Sequence, residues 1–167
     1  MTPTCSWGPV LDENPNRRRQ KIYLSEQTDG TEANKLVVLA ADVCKPRVAA
    51  SEALQGWSDH AKSVSILAKP LKVIIHPGEV NKVREIPQHP SVVVTHTDAP
   101  QLYVWNTDTQ PHRNAEKGAE GSRRPSVPDI TLEGHEDDAE FALGISSVQP
   151  LVTSGGRDKK VRSCRVG

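Results

Sequence analysis

The sequence predicts an all-β chain of propeller blades, about three of them, in a ring that does not close. Three observations carry this. Residues 132–164, LEGHEDDAEFALGISSVQPLVTSGGRDKKVRSC, open with Gly134-His135, pass through the apolar Phe141-Ala142-Leu143, and reach Leu151-Val152-Thr153-Ser154, the turn Gly155-Gly156-Arg157-Asp158 and an alternating end. Short apolar runs separated by Gly and Asp turns in that order are the parts of one blade. The pattern recurs upstream in residues 74–106, IIHPGEVNKVREIPQHPSVVVTHTDAPQLYVWN, where Val80 and Val83 follow His76 at the offsets at which Ala139 and Ala142 follow His135. Finally, blades of roughly 40–45 residues, in rings of at least about four, leave a chain of 167 residues too short to close one.

Taken in order, Cys5-Ser6-Trp7-Gly8-Pro9 reads as a short inner strand followed by a turn. The basic run Arg17-Arg18-Arg19-Gln20-Lys21 leads into a strand at Ile22-Tyr23-Leu24, and reads either as a nuclear-import signal or as a solvated loop. Residues 25–30 are turn chemistry with Asp29-Gly30 at the tip, and Leu36-Val37-Val38-Leu39-Ala40 is a buried strand. Residues 45–69 form a long loop, with one helical turn at 49–54, and Leu71 to Ile75 supply the outer strand of blade one. Blade two follows with a β-rich run at 91–95, an Asp98 turn and a strand ending in Trp105. Residues 106–129 are rich in Pro, Arg, Gly and Ser and poor in apolar residues, which predicts a mobile loop too polar to pack. Ile130-Thr131-Leu132 is then the outer strand of blade two. The expected divisions are 1–76, 77–132 and 133–167, the last a blade without an outer strand.

Composition narrows the function classes. With 35% hydrophobic residues and 21 basic against 21 acidic side chains, the chain is globular, and bulk electrostatic binding to nucleic acid is disfavoured. No stretch approaches the length of a membrane span, and Met1-Thr2-Pro3-Thr4-Cys5 offers no apolar signal core. Cys5, Cys44 and Cys164 are odd in number and far apart, which suits free thiols in a reducing compartment.

The residues that stand out chemically are two histidine-centred sets. Gly134-His135 with Ser154 and Asp158 resembles the WD repeat, in which a His, a Ser or Thr, a turn Asp and a terminal Trp form a buried hydrogen-bond relay. Cys164 stands at the Trp position. The upstream set is His76, Thr95, Asp98 and Trp105, with Asp98 one residue further from Trp105 than Asp158 is from Cys164. A hydrolase triad of His135, Ser154 and Asp158 is disfavoured, because the sequence has no Gly-x-Ser-x-Gly elbow. No His, Cys and carboxylate grouping has zinc spacing, and no metal or cofactor is expected.

Beyond the repeat itself, KIYLSEQTDG (21–30), KPRVAA (45–50), IIHPGEVNKVREIPQ (74–88), THTDAP (95–100) and GHEDDAEFAL (134–143) resemble the plant MSI-type WD-repeat proteins. These belong to the retinoblastoma-binding, chromatin-assembly family of histone-binding proteins, and the resemblance is strongest to its flowering-time branch. It implies a partial WD-repeat β-propeller, a nuclear location, no catalysis, and service as a scaffold carrying histones to deacetylase, Polycomb-type or assembly complexes. In the family, acidic residues just after the blade His receive a basic histone tail at the narrow end of the ring. By resemblance those positions are Glu79 and Asn81 in blade two and Asp138 and Glu140 in blade three. Carboxylates there would pair with Lys or Arg of an extended peptide; the plainer alternative is that they are solvated turn residues.

Two other readings stay open. WD-repeat adaptors of cullin ubiquitin ligases end a blade in Trp-Asp-x-Arg, but here the blade ends read Trp105-Asn106-Thr107-Asp108 and Cys164-Arg165-Val166-Gly167. The chain also reads as a truncated product with little independent function, since its register fails where Trp-Asp would stand.

Overall fold

The computed structural model describes residues 4–26, 28, 32–45, 67–113, 124–136 and 142–166, which contain three antiparallel sheets and no helix. The first sheet runs β1 (Cys5–Glu13), β2 (Arg17–Glu26), β3 (Lys35–Cys44), β4 (Leu67–Ile75). The second runs β5 (Lys82–Ile86), β6 (His89–His96), β7 (Leu102–Asn106), β8 (Ile130–Leu132), and the third β9 (Ala142–Ile145), β10 (Leu151–Gly155), β11 (Val161–Arg165). The leading strands β1, β5 and β9 are neighbours, so the sheets fan out as blades of a partial β-propeller.

The alternation of side chains along each strand explains why the blades stack. Val93, Trp105 and Tyr103 of the second sheet join Tyr23, Leu36, Val38 and Ile74 of the first in one apolar cluster. Their strand neighbours Val94, Leu102 and Val104 point the other way and pack on Leu143, Val152 and Val166 beside the third sheet. A sheet buried on both faces needs consecutive apolar residues, which is what Val92-Val93-Val94 provides. The Tyr23 hydroxyl spans the first interface to the Pro90 carbonyl at 3.4 Å.

Several elements differ from the sequence reading. β1 does not stop at Gly8-Pro9 but continues to Glu13 through two register shifts. It pairs on one side only, so Pro9 withdraws no needed donor, and bulges absorb the irregularity. The arginine run 17–19 lies within β2, and β4 starts at Leu67 rather than Leu71. The Asp29-Gly30 tip, the helical turn at 49–54 and residues 114–123 fall outside the described residues.

Both described flanks of the loop expected to be too polar to pack dock on the open edge of β4. Arg113 N–H donates to the Val73 carbonyl at 2.9 Å, Ser126 N–H to the Ile75 carbonyl at 2.8 Å, and Val73 N–H to His112 Nδ1 at 3.1 Å. Gln110 Nε2 ties the flanks together through the Val127 carbonyl and the Asp129 carboxylate. Backbone polar groups of an edge strand are satisfied here by backbone and polar side chains, which needs no apolar residue in the loop.

Candidate functional site

The first histidine set forms where β4 hands over to β5. His76 directly follows β4 and is buried among Trp105, Tyr103 and Thr95. Its Nδ1 lies 3.2 Å from the Gly78 carbonyl, which can only accept, so Nδ1 carries the proton. Nε2 then accepts from the Thr95 hydroxyl at 2.8 Å, and Thr95 Oγ1 accepts in turn from Trp105 Nε1 at 2.9 Å. Burial pushes the His76 imidazole down to about 4, so the ring is neutral at physiological pH.

The structure gives Asp98 a different place from the one expected. It is exposed and accepts from Asn81 Nδ2, while the Gly78 carbonyl takes the His76 proton instead. The two turns are equally long, since Thr95 pairs with Tyr103 as Ser154 pairs with Arg162, but Asp98 follows Thr95 by three residues where Asp158 follows Ser154 by four, so Ala99 stands at the position from which a carboxylate would reach the ring. Asn81 is correspondingly buried, with its backbone N–H on the His96 carbonyl at 2.8 Å. Glu79 sits between Gly78 and Val80 and is half-buried. Asp138 and Glu140 lie outside the described residues.

The second set is more regular. His135 Nδ1 meets both Asp158 carboxylate oxygens at 3.2 Å, and Nε2 lies 2.9 Å from Ser154 Oγ. Burial works against the Asp158 charge, but hydrogen bonds from Lys160 N–H and His135 outweigh it and hold the carboxyl below its usual value. Gly156 has to be glycine, because a Cβ there would collide with the His135 ring and the Asp158 carboxylate. Cys164 lies opposite Val152 in the ladder just as Trp105 lies opposite Val93. With no indole present, a small pocket remains between the second and third sheets, lined by Leu102, Leu132, His135, Val152, Ser154 and Cys164.

The Ser154, His135 and Asp158 distances are those of a hydrolytic triad, yet the setting is not. Ser154 is buried within β10, paired with Leu143 on one side and Arg162 on the other. Its backbone is committed to ladders on both sides, and no sharp turn lifts the hydroxyl toward a substrate. No group of three metal-ligating side chains occurs among the described residues.

Two features escaped the sequence. Tyr103 lays its ring against His76 at 5.6 Å, a contact foreshadowed by its position two residues before Trp105 on one strand face. His96 is fully buried 6.3 Å from the His135 ring, and neither of its nitrogens has a hydrogen-bond partner. Burial and the neighbouring His135 both lower its pKa.

Comparison with known proteins agrees with this architecture. The chain is 49% identical over 158 residues to the Arabidopsis thaliana WD-40 repeat-containing protein MSI4, an alignment covering 95% of this chain and 30% of that protein. It is 25% identical over 173 residues to the histone acetyltransferase type B subunit 2 of Gibberella zeae, covering 96% of this chain and 38% of the relative. The chain thus spans about a third of the length of these curated relatives. No family model matches it.

Proposed function

We propose that this chain, which belongs to the MSI-type WD-repeat proteins, acts as a non-catalytic histone-binding scaffold of nuclear chromatin complexes. The observation that carries the reading is how Glu79 is held. The buried His76 ring donates to the Gly78 carbonyl, and that bond pins the backbone immediately before Glu79. A carboxylate on a rigid support loses less entropy when it pairs with a Lys or Arg of an incoming peptide. The name of one relative, a histone acetyltransferase subunit, supports basic histone tails as that peptide. Asn81, whose side-chain amide donates to Asp98, joins Glu79 as a tail-binding residue in this reading, and Asp138 and Glu140 enter it by sequence resemblance alone. No cofactor enters this reading, and a role without catalysis is supported by the ladder-bound Ser154. Deacetylase and Polycomb-type complexes are the assemblies such a scaffold would serve.

The test is titration of fluorescent, unmodified histone tail peptides against the chain, with a cullin-ligase adaptor in parallel. Saturable, salt-sensitive binding of the tails is the expected result. Binding to the ligase adaptor alone would replace the histone reading with ubiquitin-ligase recruitment.

A further inference from the structure

The segment that docks on β4 contains an unused hydroxyl. Ser126 is buried and its backbone N–H bonds the Ile75 carbonyl, but Ser126 Oγ has no hydrogen-bond partner. It is the only hydroxyl among the buried unpartnered polar atoms of the described residues. Alanine would fill the same space without stranding an oxygen, so the fold supplies no reason for a serine here.

The sequence around it does supply one. Arg123-Arg124-Pro125-Ser126-Val127 places guanidiniums three and two residues before the hydroxyl and an apolar residue directly after it. Arg123 enters by sequence alone, being outside the described residues. Arg124 is exposed, and Val127 is 79% exposed with no packing role to account for it. Two arginines, a serine and an apolar residue in this order suit a basophilic protein kinase, whose acidic subsites take the guanidinium forks. Access requires the flank to lift. It is held on β4 by backbone and polar hydrogen bonds, so local opening costs far less than unfolding the sheets.

We propose that Ser126 is a phosphorylation site for a basophilic serine kinase and that the phosphate releases the described flanks, residues 107–113 and 124–128, from the edge of β4. Ser126 Oγ attacks the γ-phosphorus of Mg-ATP. The new oxygen–phosphorus bond replaces the bond to the bridging oxygen, which leaves with ADP, and the hydroxyl proton passes to the kinase's catalytic carboxylate. A phosphoserine of about −1.5 to −2 charge cannot re-enter a site that leaves Ser126 only 5% exposed without losing its hydration. Release uncovers the Val73 and Ile75 carbonyls, an edge onto which another strand can add.

The experiment treats the chain with the catalytic subunit of cAMP-dependent kinase and Mg-ATP, with a synthetic peptide of residues 121–130 as substrate control. Phosphate is mapped by mass spectrometry, and amide hydrogen exchange is followed at Val73 and Arg113. We expect one phosphate on Ser126, its absence in Ser126→Ala, a fall of about tenfold in rate in the Arg123→Ala/Arg124→Ala variant, and faster exchange at both amides after modification. Ser126→Ala itself should leave the melting midpoint unchanged, because the hydroxyl has no partner to lose. Phosphorylation of the peptide but not the chain, incorporation that persists in Ser126→Ala, or modification with unaltered exchange would each overturn the proposal.

Discussion

The indole N–H of Trp105 donates to the Thr95 hydroxyl at 2.9 Å, and that bond ties the buried polar relay of the second sheet to its apolar core. Thr95 serves both neighbours at once, donating to His76 and accepting from Trp105. Thr95→Val should therefore destabilise the chain by about 1–3 kcal/mol, because two buried groups lose their partner while the volume is kept. Thr95→Ser should recover most of the loss in urea denaturation. Equal stability of the Val variant and the parent would show that the relay contributes nothing.

Acid stability should reveal two opposed titrations. His76 is depressed from 6.5 to about 4, so the unfolded chain binds the proton first and stability falls as pH drops through that interval. Glu85 is raised from 4.5 to about 7 by burial, partly opposed by Lys21, so the folded chain binds its proton first and stability gains as pH drops through that range. Removing the second effect with Glu85→Gln should make the decline between pH 6.5 and 4.5 steeper than in the parent. Urea midpoints across that range measure it; superimposable profiles would exclude the assignment.

The pocket beside Cys164 invites filling. Ser154 donates to His135 Nε2 and keeps an acceptor lone pair, as Thr95 does toward Trp105. Cys164→Trp should raise stability by about 1 kcal/mol if the indole adopts the Trp105 arrangement. A lower melting midpoint would mean that the third sheet cannot accept the ring.

Self-association of the isolated chain is expected from its uncovered surfaces. Trp7, 55% exposed, stands in a ladder row with Ile22 and Leu39 on the face of the first sheet turned away from the second. The third sheet has three strands among the described residues, with all of β11 exposed. Such edges and faces recruit other chains. Analytical ultracentrifugation should show concentration-dependent association, and a monodisperse monomer would contradict it.

The parts of this architecture legible in the sequence are those set by periodicity and turn chemistry. Val92-Val93-Val94, the Trp105 strand and Ile130–Leu132 announced themselves, and so did the spacing that brings His135 to Ser154 and Asp158. What stayed hidden depends on tertiary partners. Gly8-Pro9 looks like a turn until β1 is known to be an edge strand, and the polar residues after Trp105 look unable to pack until the open backbone of β4 receives them. The exchange of partners that sends Asp98 to Asn81 goes with a carboxylate one position early in a turn of equal length, which spacing flagged but did not resolve.

Charge reversal at Glu79 tests histone-tail binding most directly. The parent chain and Glu79→Lys, matched for melting midpoint, are titrated with an unmodified histone tail peptide at two salt concentrations. Glu79→Lys should weaken binding about tenfold or more at low salt and flatten the salt dependence, since one carboxylate–cation pair is replaced by a repulsion. Equal affinity and equal salt dependence for the two chains would contradict it.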